Sequence, residues 1–529
     1  MKRRIISTIL AVSLCASMLM GCGGKQEPAA ENTPGTEDAT DSQGEEETEG
    51  ASDSQGEGED GDGETQAEWD EAPAEVTWLL WNVGGNCNEE GVQSVEDALN
   101  EITLNKINVK VDLQVLDMGT YMSQMPMQVS SGDKIDLITT FPAGAGSYQA
   151  MQASKQLLPL KALLEDYAPE TLEVFPEKVL KSTSEGEEIY ALPVLTDYSN
   201  DGYWVCRQSY LDSGNVDMAN IKTMTDLTDA FAKMYEANPG MKMISSGAQN
   251  LANSSGAMVS GVAYDSLGSE FIAVMVDKDP TKVVSYFETD EFKETFKLLQ
   301  EWYQAGYIDK DVATRTDDPT VDTSVGSVFL GGNIVRVAGG DVLAGEPRQR
   351  VKLVEGYIGT STIAIMNMAV PTSATEPEAA VKLMNLCYTD KDVKMLVSYG
   401  IKDKDYKITD GGVELIASAN YAPNTYGIFG NTLICDPADV EVQTGQYIAD
   451  VDLESLKYSP LLGFRINSDP ITQEQAALDT VFAEFKGMVM TGSCDDTVYE
   501  DFIKKLYDNG LQKYIDEVQT QLDTWYEAQ

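Results

Sequence analysis

Ile189–Val205 reads IYALPVLTDYSNDGYWV. Pro193 disfavours a helix and holds Leu192 extended. Gly202 admits backbone angles that other residues avoid. An apolar run, Ile189 to Leu195, thus leads into a polar and aromatic patch, Asp197 to Trp204. This predicts an extended crossover between an α/β first half and a longer second half. A cleft between two lobes needs such a strip, with flat apolar faces for contact and a few polar groups for orientation. The same residues also fit a surface hairpin with core aromatics, so the flanking chain has to decide.

Upstream, Glu75–Trp81 reads as an opening strand and Val109–Val115 alternates as a second. Ile135–Thr140 reads as a third. Helical spacing lies between them, at Val92, Val95, Leu99 and Ile102, then over Tyr121 to Val129. This βαβαβ order predicts a parallel, doubly wound sheet. In such sheets ligands sit beyond the carboxyl ends of strands. Trp81, Asn82, Thr140 and Phe141 fall there, although core packing fits Trp81 and Phe141 equally well.

Downstream, Tyr203–Arg207 reads as the first strand of a second lobe. Thr225 and Thr289-Asp290 open amphipathic helices, and Trp302 falls on a core face. Gly326 to Gly340 reads as strand–turn–strand, with Gly331-Gly332 and Gly339-Gly340 as turns; it holds no phosphate-loop motif. Thr375 and Glu378 have capping-box spacing ahead of a helix, with Pro377 tolerated in its first turn.

The formal net charge is −50. Lys2, Arg3 and Arg4 precede an apolar stretch, Ile5 to Met20, which predicts a signal peptide. Lys25 to Glu75 carries 19 acidic residues against one lysine, so it cannot bury enough apolar surface to order itself. The body that follows holds 68 acidic and 33 basic residues, which argues against a nucleic-acid surface. Histidine is absent, which excludes imidazole-dependent catalysis and His-ligated metals. Of seven cysteines, five are spread through the body without a CxxC, so they read mainly as small buried thiols. Asp197 to Gly202 has EF-hand-like oxygen spacing, but Gln208 stands where the bidentate Glu belongs; neither a metal nor a cofactor is expected.

Leu19-Met20-Gly21-Cys22 resembles the lipobox of bacterial lipoproteins, in which Cys22 would be lipidated after cleavage. Together with the acidic tether, the strand ending at Trp81, the IYALP crossover and VPTSATEPEAAVKLMNLCYTD (Val370–Asp390), the chain resembles a family 1 extracellular solute-binding protein of a bacterial ABC importer. It further resembles a sub-branch with a C-terminal domain of unknown function, through Phe429-Gly430-Asn431-Thr432 and Ser459–Phe464 among others. The resemblance implies an α/β, two-lobe, periplasmic-binding-protein-like fold with a hinge and an interlobe cleft. Its parts would be a signal peptide (1–21), a lipidated tether (22–74), lobe 1 (75–196 and 358–420) and lobe 2 (197–357 and 421–529, with a C-terminal helical extension).

It also implies a monomeric, lipid-anchored, non-enzymatic protein that hands a sugar, in particular an oligosaccharide, to a membrane permease. Peptides or other solutes stay open. So does a carboxylate glycosidase, since 68 carboxylates guarantee a chance pair. The candidate ligand-binding residues are Trp81, Asn82, Phe141, Tyr198, Asp201, Tyr203 and Trp204, with Tyr426 and Phe429 from the far side. Removing the Trp204 ring is expected to weaken binding without unfolding the chain.

Overall fold

A computed structural model describes residues 69–83, 85–244, 263–314, 325–331, 342–343, 346–409, 412–435 and 452–529. The basic leader, Cys22, most of the acidic segment, Gly332, Gly339 and Gly340 lie outside the described residues.

In lobe 1 the opening strand, Ala74–Asn82, lies between two parallel neighbours, Val109–Asp117 and Leu137–Thr139. Its residues from Val76 to Trp81 are buried without alternation, as a parallel strand covered on both faces requires. The Val109–Asp117 strand alternates buried and exposed over most of its length. The helix Glu89–Ile107 joins these two strands; Asn88 accepts its Gly91 N–H at 2.9 Å, and Asn108 ends it in the left-handed conformation. The sheet is completed by Asn367–Ala369 and Leu192–Pro193, the first antiparallel to both its neighbours. The sheet is therefore mixed. The returning chain enters from the carboxyl-end side, where it crosses from lobe 2, and can only run back.

Asp136 is fully buried and ties this lobe together. One carboxylate oxygen accepts the Thr77 N–H at 2.9 Å, and the other accepts those of Thr375 and Glu376 at 2.7 and 3.0 Å. It thereby satisfies backbone donors at the start of the Pro377–Thr389 helix. The expected Thr375–Glu378 capping box is not formed, and no side chain of the helix's own cap residue contributes.

Lobe 2 holds a five-stranded sheet in the order Val342–Leu343, Glu346–Val354, Gly202–Arg207, Val325–Gly331, Lys242–Ile244. Against it pack the helices Asp226–Ala237 and Asp290–Ala305, the second capped by Thr289 as expected. Trp302 is fully buried, donates to Thr228 Oγ1 at 2.9 Å and meets the Phe231 ring edge-on at 4.9 Å. The C-terminal helices Thr472–Val489, Asp496–Asp508 and Leu511–Glu527 share this core, with Phe482 and Phe502 against Phe287.

Among the described residues, three segments cross between the lobes side by side. The first runs from Leu195 to Gly202, the second from Glu355 to Gly359, the third through Ser459. Asn200 Nδ2 donates to the Tyr357 carbonyl at 3.0 Å. Ile358 accepts from Ser459 N and donates to the Lys457 carbonyl, both at 2.9 Å. The third crossing thus falls near Ser459, not after residue 420. The sequence-based assignment of all of 421–529 to lobe 2 is corrected: Tyr421, Ile428, Phe429 and Leu453 belong to the lobe 1 core. At the seam itself Leu461 enters the lobe 2 core and Leu462 the lobe 1 core.

Gly356 sits where a Cβ would lie 1.7 Å from the Asn200 carbonyl oxygen. No flexible side chain is available to yield there. Gly356→Ala is therefore expected to cost about 1–3 kcal/mol of stability through overpacking. Denaturant unfolding reads this directly, and an unchanged midpoint would contradict the contact between crossings.

Candidate functional site

The carboxyl ends of the lobe 1 strands and the crossings form the region where the sequence places ligand contacts. Trp81 is 1% exposed and packs on Phe141 at 5.0 Å and Tyr121 at 6.5 Å. Asn82 is half-buried; its side chain donates to the Gly85 carbonyl and accepts the Gly85 N–H, both at 2.8 Å, and so closes its own loop. Phe141 and Tyr198 are buried, and Tyr198 Oη donates to the Val194 carbonyl at 2.7 Å.

Trp204 has no exposed surface and meets Phe231 at 5.9 Å. Successive residues of a strand point to opposite faces. Tyr203 and Trp204 therefore cannot form one aromatic platform, and it is Trp204 that points into the core. Tyr203 is half-buried on the other face. Its hydroxyl donates to Asp201 Oδ2 at 2.9 Å, and Lys352, opposite Tyr203 on the neighbouring strand, reaches the same oxygen at 3.2 Å. Asp201 is thus already engaged by its own lobe and does not offer a bare carboxylate. Lys352 is 44% exposed, which limits this ion pair to about 1 kcal/mol or less. Lys352 was not legible as a site residue, because a lysine in an alternating strand reads as an ordinary solvent face.

Tyr426 and Phe429 do not come from the far lobe. Their loop folds over the Lys391–Tyr399 helix of lobe 1. Tyr426 stacks on Tyr399 at 5.5 Å, and Phe429 meets Trp78 edge-on at 5.4 Å. What holds the loop is Lys394, fully buried, whose ammonium donates to the carbonyls of Tyr426 and Phe429, each at 2.6 Å. It also lies 3.9 Å from the Phe429 ring centroid. The far end of the loop pairs with the first crossing, where Leu195 N donates to the Gly430 carbonyl and Thr432 N to that of Leu195. Trp81, Phe141, Tyr198, Trp204, Tyr426 and Phe429 are therefore core residues here. Asn82, Tyr203 and the Asp201–Lys352 pair keep accessible or polar surface near the crossings.

Behind the crossings, Tyr357 donates to Asp277, and Lys457 lies 4.1 Å above the Tyr357 ring. A separate groove of about 680 Å³ lies within lobe 2, between the Asp290–Ala305 and Asp496–Asp508 helices, and holds none of the candidate residues. Among the described residues, no cluster of three or more Cys, Asp or Glu is arranged to hold a metal. Cys206, Cys387 and Cys435 are buried, and burial pushes the Cys387 thiol up to about 12.

Residues 90–394 match the family described as bacterial extracellular solute-binding protein. The chain belongs to this family. Residues 460–527 of this solute-binding protein match a domain described only as of unknown function. It is 24% identical over 444 residues to a carbohydrate ABC transporter substrate-binding protein of Streptococcus pneumoniae serotype 4, covering 80% of this chain and 86% of that one. It is 22% identical over 438 residues to lipoprotein LipO of Bacillus subtilis, covering 75% and 83%. In structure it is similar to the N-glycan transport solute binding protein NgtS of S. pneumoniae, with a TM-score of 0.70, 20% identity, and coverage of 86% of this chain and 99% of that one. Against NgtS in complex with Man5GlcNAc the TM-score is 0.59.

Two outcomes are expected. Trp204→Ala should cost about 3–5 kcal/mol of folding stability, read by denaturant unfolding, where only affinity was expected to suffer. Burial lowers the Lys394 ammonium to about 7. Its folded value lies below its unfolded one, so above pH 7 the unfolded chain holds the extra proton and this group makes stability rise with pH. The slope is at most about 1.4 kcal/mol per pH unit, up to roughly pH 8.5, where unfolded thiols begin to ionise and oppose it. Stability curves at several pH values should show this rise in the parent and not in Lys394→Met; equal slopes would refute it.

Proposed function

We propose that this solute-binding protein captures a carbohydrate, in particular an oligosaccharide, outside the cell and delivers it to an ABC permease. The observation that carries this reading is a likeness to NgtS spanning 86% of this chain and 99% of that protein, joined to relatedness with a carbohydrate substrate-binding protein. The solute would sit between the lobes beside the crossings. Tyr203 would offer a ring face, and Asn82 and the Asp201–Lys352 pair would offer hydrogen bonds to hydroxyls. The lower TM-score against the glycan-bound form is what an open resting arrangement would give, with closure on the ligand favoured by contacts to both lobes. Cys22 would carry the lipid and the acidic segment would tether a monomeric, non-enzymatic body at the outer face of the membrane. The relatedness to lipoprotein LipO supports the anchor.

The test is a thermal-shift screen of the unlipidated mature chain against mono- and oligosaccharides, with calorimetry on those that respond. A binding sugar present at a hundred times its Kd should stabilise the fold by about 2.7 kcal/mol, and should be recovered unchanged. A cleaved sugar would point to a glycosidase. A folded chain indifferent to every sugar would sink the carbohydrate reading in favour of peptides or other solutes.

A further inference from the structure

The domain of unknown function begins at residue 460, within the third crossing. Its three helices are locked to lobe 2. A Cβ on Gly487 would lie 2.3 Å from the Ala313 carbonyl oxygen, and one on Gly492 2.5 Å from Gln300 N. Gln519 accepts from Val283 N at 2.8 Å and donates to the Thr281 carbonyl at 2.9 Å. These contacts leave the helices no freedom to move apart from lobe 2.

The leading edge of the same unit reaches the other way. Gly463 N donates to Thr360 Oγ1, in lobe 1, at 2.8 Å. Arg465 Nη1 donates to the Ser184 carbonyl at 3.3 Å, and its guanidinium lies 4.8 Å from the ring centroid of Tyr148. Tyr148 is 1% exposed and is itself held by a 2.8 Å bond from its hydroxyl to the Thr183 carbonyl. Arg465 is thus a side chain borne by the lobe 2 body and seated on lobe 1.

The chemistry of this seat suits a contact that must break. Nε and Nη2 of Arg465 are closed off from solvent and make no hydrogen bond, and the exposed Glu185, next to Ser184, adds only a through-space attraction. A half-buried cation held by a ring face and a carbonyl has much of its attraction offset by lost hydration. Parting the lobes there returns the guanidinium to water.

We propose that the C-terminal domain of unknown function is a hinge brace, and that Arg465, seated on Tyr148 and Ser184, is the positioning residue that sets the resting angle between the lobes. Solute closure then rolls or releases this seat while the unit's helices travel with lobe 2.

The test needs no solute, so it stands or falls separately from the sugar assignment. Spin labels on genetically encoded, non-cysteine groups at the exposed positions Glu173 in lobe 1 and Lys233 in lobe 2 report the interlobe distance in the mature chain. The parent should give one narrow distance. Arg465→Gln should shift its mean by more than about 2 Å, or visibly broaden it, with little change in melting temperature because neither lobe core is touched. Arg465→Lys, which keeps the charge and loses the planar fork, should fall between the two. A distance distribution identical to the parent's in Arg465→Gln overturns the proposal. Should that variant not fold, Tyr148→Leu is read the same way, and an unchanged distribution there overturns it equally.

Discussion

The middle crossing is hydrogen-bonded on both sides, to Asn200 of the first and to Lys457 and Ser459 of the third. Backbone groups cannot be left unpaired in a buried strap, so the three segments bend together or not at all. This constraint orders the rest of the molecule. It forces the return strand to run against its neighbours. It also leaves glycine as the only residue that fits where Gly356 meets Asn200.

Among the described residues, three charged side chains, Asp136 and Lys394 buried and Arg465 half-buried, bond to backbone far away in the chain. Asp136 accepts from three peptide N–H groups, Lys394 donates to two carbonyls, and Arg465 donates to one. Each joins segments far apart in the chain. A side-chain charge satisfied by peptide dipoles carries no partner in the sequence, which is why none of the three was visible there. The strongly acidic composition is a property of the surface and of the segment before Trp69.

The elements that were legible rest on local pattern. The opening βαβ order, the extended backbone at Leu192–Pro193 and the Thr289 cap are written in neighbouring residues, and the structure shows each. The third crossing was not legible, because what keeps Tyr426 and Phe429 with lobe 1 is a buried lysine 35 residues upstream of Phe429. The aromatic platform was misjudged for a simpler reason. Tyr203 and Trp204 are neighbours in sequence and so stand on opposite faces of a strand, and the same holds for Trp81 and Asn82. Counting rings near a crossover overlooks this alternation.

The burial of the indoles has a consequence. Trp78, Trp81, Trp204 and Trp302 lie in cores with at most 1% exposure, and Trp69 lies before the first strand, bonded to the Leu104 carbonyl. Rings so deeply buried have their surroundings set by the packing of their own lobe. Trp525 alone stands at the seam, edge-on to Phe464 at 5.9 Å and within 4.0 Å of where a Gly463 side chain would begin. Gly463 in turn bonds Thr360 of lobe 1, so of the six indoles this is the ring set beside the seam between the lobes, and the chain carries it without any label.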